Sequence, residues 1–128
     1  MSKVFFKKKN SNIIALFEGI EIRVGILDGL KYYVVNDVIK ILSETKNTKD
    51  YIKRMRKSDD ELREKWFKLV IRLPLMTGNG RQDINCANKK SLLRILQAIP
   101  KAKKKVEPFK VWLNQIENEK LGSIKTIK

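Results

Sequence analysis

The sequence predicts a single compact α+β domain with short antiparallel β-hairpins and about four to five helices. Short apolar runs rich in β-branched residues alternate with glycine-containing turns, which is typical of hairpins. Other segments repeat apolar residues at intervals of three and four, which is typical of amphipathic helices. The chain has 128 residues, of which 42% are hydrophobic, so it has the length of one domain and enough apolar surface for a core.

The first part of the chain is predicted to form strands. Residues 13–18 and 21–26 are apolar runs joined by a turn at Gly19, and residues 31–35 form a third strand. Four lysines and no acidic residue precede them. We therefore expect residues 1–12 to be a flexible basic arm.

Two helices with a tight connector are predicted next. The first has Asn36 as its N-cap and ends at residues 43–46, and the second begins with Thr48 as a candidate cap. A charged helix then follows a cap at Ser58 or Asp59.

The second half of the chain begins with a predicted hairpin. Residues 67–76 and 81–86 form its strands, and residues 77–80, with the sequence TGNG, form its turn. Pro74 places the first of these strands at a sheet edge or at its own end, because proline cannot donate to a ladder.

Two more helices complete the predicted domain. Asn88 caps a helix that Pro100 stops, and Pro108 lies in the first turn of a last helix that Gly122 ends. Residues 123–128 are left as a short tail.

The charge of the chain is its most informative property. Lysine and arginine number 29 against 14 acidic residues, which gives a net charge of +15. A soluble domain tolerates such self-repulsion mainly when a polyanion neutralises it, so nucleic acid is the first expected partner, and duplex DNA is favoured over RNA by sequence motifs and not by the charge itself. The chain has no histidine and one cysteine, which disfavours metal sites, disulfides and most hydrolase chemistry. We expect no cofactor and no metal.

We expect no membrane partner. No apolar run approaches the roughly 18 residues of a membrane span, and the N-terminus has no apolar signal core. The expected location is the cytoplasm, in association with the nucleoid or in a host cell if the protein is viral, with Cys86 as a free thiol.

Four segments in a fixed order are distinctive together. They are residues 32–38 (YYVVNDV), 78–82 (GNGRQ), 92–96 (LLRIL) and 107–113 (EPFKVWL). On these segments the chain resembles the N-terminal domain of the BRO family, found in baculoviral BRO proteins, phage antirepressors and proteins similar to damage-inducible protein D. The resemblance covers roughly residues 14–121, and we assign residues 13–122 to this domain.

The resemblance implies a compact α+β domain that binds DNA and regulates transcription or a phage lytic switch, with no catalytic residue. Residues 100–108 depart from it, because this connector is about two residues longer and more basic than usual. Family members also commonly carry a separate C-terminal domain that these 128 residues lack, so any effector function located in it is either absent or was cut off.

The second predicted helix offers the first candidate DNA contacts. Lys49, Lys53 and Arg56 recur on one face and are expected to meet phosphates, while Arg54 or Lys57 reaches a base edge. The alternative is an ordinary solvated face, because the acidic residues at 59–64 are able to pair with these bases.

The remaining candidates lie farther along the chain. Arg81 and Gln82 follow the hairpin turn and are able to bond guanine and adenine edges, the alternative being a plain exposed turn. Further cations are expected to anchor phosphates, or else to be solubilising surface charge, and they are Lys90, Arg94, Lys101, Lys103, Lys104 and Lys105. We assign three aromatic side chains to the core instead of to base stacking, and they are Trp66, Phe109 and Trp112. Phe67, next to Trp66, is expected to turn inward as well.

A DNA-binding regulator is therefore the favoured function, and we predict that the chain is not an enzyme. The alternative from another class is a protein-interaction inhibitor that acts on a repressor or on recombination machinery. A nuclease ranks third, because the carboxylates near the predicted strands form no known nuclease signature. The oligomeric state stays open.

Overall fold

The sheet consists of six antiparallel strands and one short parallel addition. The strands are β1 (Phe6–Lys9), β2 (Asn12–Phe17), β3 (Ile20–Leu27), β4 (Leu30–Val34), β5 (Ile71–Thr77), β6 (Gly80–Ala87) and β7 (Lys125–Thr126). Their order across the sheet is β5-β6-β4-β3-β2-β1-β7, and β7 runs parallel to β1. The computed structural model describes residues 6–100, 103–119 and 125–126.

Five helices accompany the sheet in these ranges, which confirms the predicted α+β class. They are α1 (Val35–Ser43), α2 (Thr48–Ser58), α3 (Asp60–Leu69), α4 (Lys89–Leu96) and α5 (Val106–Glu117). The connector between α1 and α2 is four residues long, which confirms the predicted tight connector. It begins at Glu44, which adopts a left-handed backbone with φ of 58° and donates its N–H to the Lys40 carbonyl.

Two of the predicted helix caps are confirmed. The Asp59 carboxylate accepts a hydrogen bond from the Leu62 N–H at 3.0 Å. The Asn88 side chain accepts one from the Ser91 N–H at 2.9 Å. Each cap satisfies a backbone donor that has no partner inside its own helix.

Two other predicted caps are wrong. The cap of α2 is Asn47, one residue before Thr48, and its side chain accepts from the Asp50 N–H at 3.0 Å. The α1 helix begins at Val35 without a side-chain cap, so Asn36 lies inside the first turn. Asn36 is consequently exposed and free for another role.

The sheet separates two clusters of buried side chains. In β4, Tyr33 belongs to the larger cluster, which the helices cover, and Val34 belongs to a smaller cluster with Leu73, Leu75 and Cys86. Neighbouring strand residues point to opposite faces, so the helices cover one face of the sheet and the β5–β6 hairpin covers part of the other.

The α5 helix packs on the sheet through its aromatic side chains. The indole of Trp112 donates to the Leu16 carbonyl at 2.7 Å and meets the Phe17 ring edge to face at 5.5 Å between centroids. Phe109 is fully buried beside it, and the Tyr33 hydroxyl donates to a carboxylate near the end of α5. The predicted core role of Phe109 and Trp112 is confirmed.

The β5–β6 hairpin bends back over the sheet. β6 pairs with β4 through only two residue pairs, and the hairpin then crosses toward β3 and β2. A side chain on Gly25 would place its Cβ 2.7 Å from Leu73, so glycine allows this close approach. Farther along, the Asn12 amide bonds both the N–H and the carbonyl of Met76, at 3.1 and 2.8 Å. β5 is an edge strand, as Pro74 predicts.

The expectation of a flexible arm over residues 1–12 is wrong for residues 6–12. Phe6 is fully buried, and β1 pairs in register with β2, so the lysines that follow Phe6 belong to the sheet. Residues 1–5 lie outside the described ranges. Within the expected tail, residues 125–126 form β7, whereas Gly122 lies outside the described ranges and α5 ends at Glu117.

The expectation that Phe67 turns inward is also wrong. Trp66 is buried as predicted, but Phe67 belongs to α3 and is 81% exposed. The buried positions of this helix are Leu62 and Trp66, four residues apart, and the next residue along a helix points about 100° away from them.

Trp112→Ala is expected to destabilise the domain by about 3 kcal/mol, because it removes a large aromatic contact and the bond to Leu16. Urea unfolding followed by circular dichroism measures this free energy. The control is Val111→Ala, since the neighbouring valine is exposed and its loss is expected to change stability by less than about 0.5 kcal/mol. Equal stability of both variants would contradict the assigned role of α5.

Candidate nucleic-acid interface

A surface pocket of about 520 Å³ is lined by three of the predicted DNA-binding cations. We call it the basic hollow, and its lining is Asn36, Lys49, Ile52, Lys53, Arg56, Trp66 and Asn85. This lining contains three cations, two amides and an indole but no carboxylate. An anion placed there would meet three positive charges and no negative one.

The α2 helix positions the cations of this hollow. Ile52 and Met55 are buried, which fixes the rotation of the helix on the core. Lys49, Lys53 and Arg56 are spaced four and three residues apart, so they project from one side. The expected common face is therefore present in the structure.

Arg56 is held in place by aromatic rings. The carbon at the centre of its guanidinium lies 4.8 Å from the centroid of Trp66 and 5.5 Å from that of Phe67. Its Nε atom is buried and has no hydrogen-bond partner among the described residues. Contact with two ring faces compensates part of this lost hydration and keeps the cation beside the hollow.

A second surface pocket, of about 400 Å³, adjoins the first. Asn36 and Asn85 line both, and the second, which we call the adjoining hollow, is completed by Arg23, Phe67, Arg72, Asp83 and Ile84. Arg72 stands opposite Asn85 in the β5–β6 ladder. The sequence prediction missed Arg72, although the alternation of β5 gives its outward direction.

An ion pair fixes one wall of the adjoining hollow. Arg23 of β3 donates to both carboxylate oxygens of Asp37 in α1, at 2.8 and 2.9 Å, and its backbone N–H donates to the same group at 3.0 Å. The pair is mostly shielded from solvent, and bonding to Asp37 raises the pKa of Arg23. Arg23 therefore adds little free positive charge to the hollow.

Asp59, Asp60 and Glu61, at the start of α3, do not pair with the cations of α2. Asp59 and Glu61 instead bind Arg94 of α4, with distances of 3.0 and 2.9 Å. Asp60 binds Arg63 within α3 at 3.1 Å. The alternative in which the segment 59–64 pairs with the bases of α2 is wrong for these three acids.

Two of the predicted DNA-contact residues already form ion pairs with acidic side chains of the domain itself. Arg94 bridges α3 and α4, and its hydrogen bond to Glu61 raises its pKa, so we remove it from the candidate interface. Arg54 binds Asp50 at 3.2 Å and lies on a different side of α2, near Asp59 and Pro100. Lys57 and Lys90 are exposed outside both hollows.

The hairpin does not bring Arg81 and Gln82 together. They are successive residues of β6, so their side chains leave opposite faces of the hairpin. Both are exposed, but Arg81 borders a separate depression near Leu73 and Met76. Of the two, only one is able to reach a ligand on a given face.

The lysines before α5 form a separate cationic segment. Residues 103–105 lead directly into the helix, and Lys101 lies outside the described ranges. The N-terminal end of a helix carries partial positive charge, which disfavours cations there. Glu107 in the first turn forms an ion pair with Lys110 at 3.2 Å, so only part of its negative charge offsets the lysines at 103–105. An anion at this end would relieve the repulsion.

The described residues include no group of three or more metal-ligating side chains. Burial in the smaller cluster raises the pKa of the Cys86 thiol to about 12, so it stays protonated at neutral pH. Within the same ranges, the longest apolar helical segments are too short to cross a bilayer.

Comparison with known families gives one match. Residues 21–119 match the family described as "BRO family, N-terminal domain". No curated protein and no solved structure shows a significant match to the chain. The matched range includes α1 to α5 and both hollows.

Asp59→Asn is expected to lower stability mainly at neutral pH, because it keeps the cap to Leu62 but weakens the ion pair with Arg94. The hydrogen bond from the Leu62 N–H, aided by Arg94, lowers the pKa of Asp59 in the folded state. Its charge therefore stabilises the fold above the unfolded-state pKa, and this contribution disappears as pH falls through the lowered folded-state pKa.

Thermal unfolding of both proteins across the acid range measures this effect. The difference in melting temperature is expected to be largest near pH 7 and to vanish at the lowest pH. A difference that is constant with pH would show that the charge of Asp59 is not involved.

Proposed function

Because the chain belongs to the BRO family, as an N-terminal domain of that family, we propose that it binds duplex DNA. In this proposal it acts in the cytoplasm as a transcriptional regulator of the phage or viral type. The observation that carries the proposal is the basic hollow, in which three cations and no carboxylate line one concave surface. Phosphate groups supply the negative charge that such a surface requires.

In this proposal, Lys49 and Lys53 neutralise phosphates at the rim of the hollow. Both are exposed and without an ion pair in the described ranges, so binding DNA breaks no contact inside the domain. Contacts of this kind position the protein and add affinity on any sequence. Lys103, Lys104 and Lys105 are proposed as a second, independent phosphate anchor.

Sequence preference is proposed to come from the β5–β6 hairpin. Arg81 is exposed on one of its faces, and arginine is able to bond both acceptors of a guanine edge. Gln82 leaves the opposite face, so Arg81 is proposed as the reading residue of this pair.

A second function is favoured by a different surface. The tip of the β3–β4 hairpin carries three exposed apolar side chains, Ile26, Leu27 and Leu30. An exposed apolar tip of this kind is one type of surface that proteins use in contacts with other proteins. It supports the alternative of an inhibitor that docks on a repressor or a recombination protein, and this function does not require the hollow.

The double variant Lys49→Ala, Lys53→Ala is expected to bind duplex DNA at least about tenfold more weakly, because two phosphate contacts are lost. The slope of log affinity against log salt is expected to become about two units less steep. Fluorescence anisotropy titrations at several salt concentrations measure both quantities.

The matched control is the double variant Lys65→Ala, Lys110→Ala. It removes the same charge from the chain, but these lysines are bound to Glu61 and Glu107 outside the hollow. An equal loss in both double variants would mean that total charge and not the basic hollow determines binding. If the wild type does not bind duplex DNA at all, the alternative function as a protein-interaction inhibitor is favoured.

Arg81→Ala is expected to reduce the ratio of specific to nonspecific affinity, because one bidentate base contact is worth about 1 to 3 kcal/mol. The salt slope is expected to change by about one unit or less. Selection of a preferred site followed by competition titrations measures the ratio. A full preference in the variant would exclude this hairpin residue from sequence reading.

A further inference from the structure

Phe67 is the most exposed of the large apolar side chains in the described ranges, at 81%. A single exposed apolar residue is ordinary on a protein surface. The position of Phe67 is not ordinary, because it lines the adjoining hollow and also contacts Arg56 of the basic hollow. An open aromatic ring therefore stands where the two hollows meet.

The groups around this ring suit a nucleotide. Phe67 offers an aromatic face, and Asn36 and Asn85 offer amide donors and acceptors within the same hollow. Arg72 is exposed there as well and has no ion pair in the described part of the chain. The volume of about 400 Å³ falls within the usual range of small-ligand pockets.

A paired base inside a duplex cannot use this ring. Both of its faces are covered by neighbouring bases, so only a base that has left the stack presents a free face. Stacking on an aromatic side chain tolerates any base, because every base has a π-face. The amides in the hollow would then meet the exposed edge of that base.

The surroundings also argue against a protein ligand at this point. The neighbours of Phe67 in its hollow are mostly polar or charged, with Ile84 as the other large apolar side chain. A protein docking surface of useful strength needs a larger apolar centre. Cations beside one aromatic ring are instead typical of sites for single-stranded nucleic acid.

We propose that Phe67 is a stacking platform for one unpaired base of a DNA strand whose phosphates lie in the basic hollow. Asn36 and Asn85 bond the edge of this base, and Arg56 supports the ring from the other hollow. The inference rests on the proposed DNA-binding function and adds a preferred substrate, DNA that contains an unpaired or readily extruded base.

The test compares three DNA duplexes of equal length and flanking sequence. The first is fully paired, the second has one extra unpaired base, and the third has an abasic unit at that position. The third keeps the backbone distortion and its charge but removes the base. The difference between the second and the third thus measures the contribution of the base alone.

The wild type is expected to bind the duplex with the unpaired base about 5-fold to 100-fold more tightly than the abasic one, as expected for stacking of one base on an aromatic ring. Phe67→Leu keeps an apolar side chain without a π-face and is expected to abolish this difference. Phe67→Trp is expected to retain it. Loss of the Phe67 contact with Arg56 is expected to weaken binding of all three duplexes alike, so the quantity compared between proteins is the ratio of the affinities for the second and third duplexes.

The control is Val111→Ala, which changes another highly exposed apolar residue, on α5, that lines neither hollow. It is expected to leave all three affinities unchanged. Equal wild-type affinity for the second and third duplexes, or a difference that survives Phe67→Leu, would overturn the inference. If the paired duplex still binds, the proposed function stands without it, whereas no binding to any duplex overturns both.

Discussion

The ion pair between Arg23 and Asp37 determines where the candidate interface lies. It joins the middle of β3 to the first turn of α1 through three hydrogen bonds to one carboxylate. Loss of either partner would leave a partly buried charge without compensation, which is more costly than never having formed the pair. Because α1 is fixed in this way, Asn36 lies at the boundary of both hollows. The four-residue connector then limits where α2 is able to place its cations.

The distribution of charge matters more for function than its total. Each internal ion pair removes one acid and one base, so it leaves the net charge of +15 unchanged and concentrates it on the remaining cations. On α2, the acid Asp50 is bound to Arg54 on a different side from the hollow. At the start of α3, its cap Asp59 and its residue Glu61 are both bound to Arg94. These pairs keep carboxylates away from Lys49 and Lys53.

The sequence predicted what local patterns encode. The hairpins, the α2 face with its cations and the caps Asp59 and Asn88 follow from periodicity and cap chemistry over a few residues. β1 was missed because only Phe6 of its four residues is buried, which leaves a lysine run without alternation. The partners of Arg94 lie more than 30 residues earlier in the chain, and the two hollows join residues of β3, α1, α2, α3, β5 and β6. Contacts between such distant segments depend on the tertiary fold and leave no local pattern.

The two proposed modes of binding, to phosphates and to an unpaired base, are energetically distinct although they are proposed for neighbouring surfaces. Lysine contacts with phosphates release counterions, so their contribution falls as salt rises. Stacking on an uncharged ring releases no counterion and is largely independent of salt. Arg56 contacts both Trp66 and Phe67 and also lines the basic hollow, so it physically links the two modes. At low salt the cations would dominate and hide a preference for an unpaired base. At higher salt the stacking contribution becomes the larger share of the affinity, so discrimination between paired and unpaired DNA should increase as total affinity decreases.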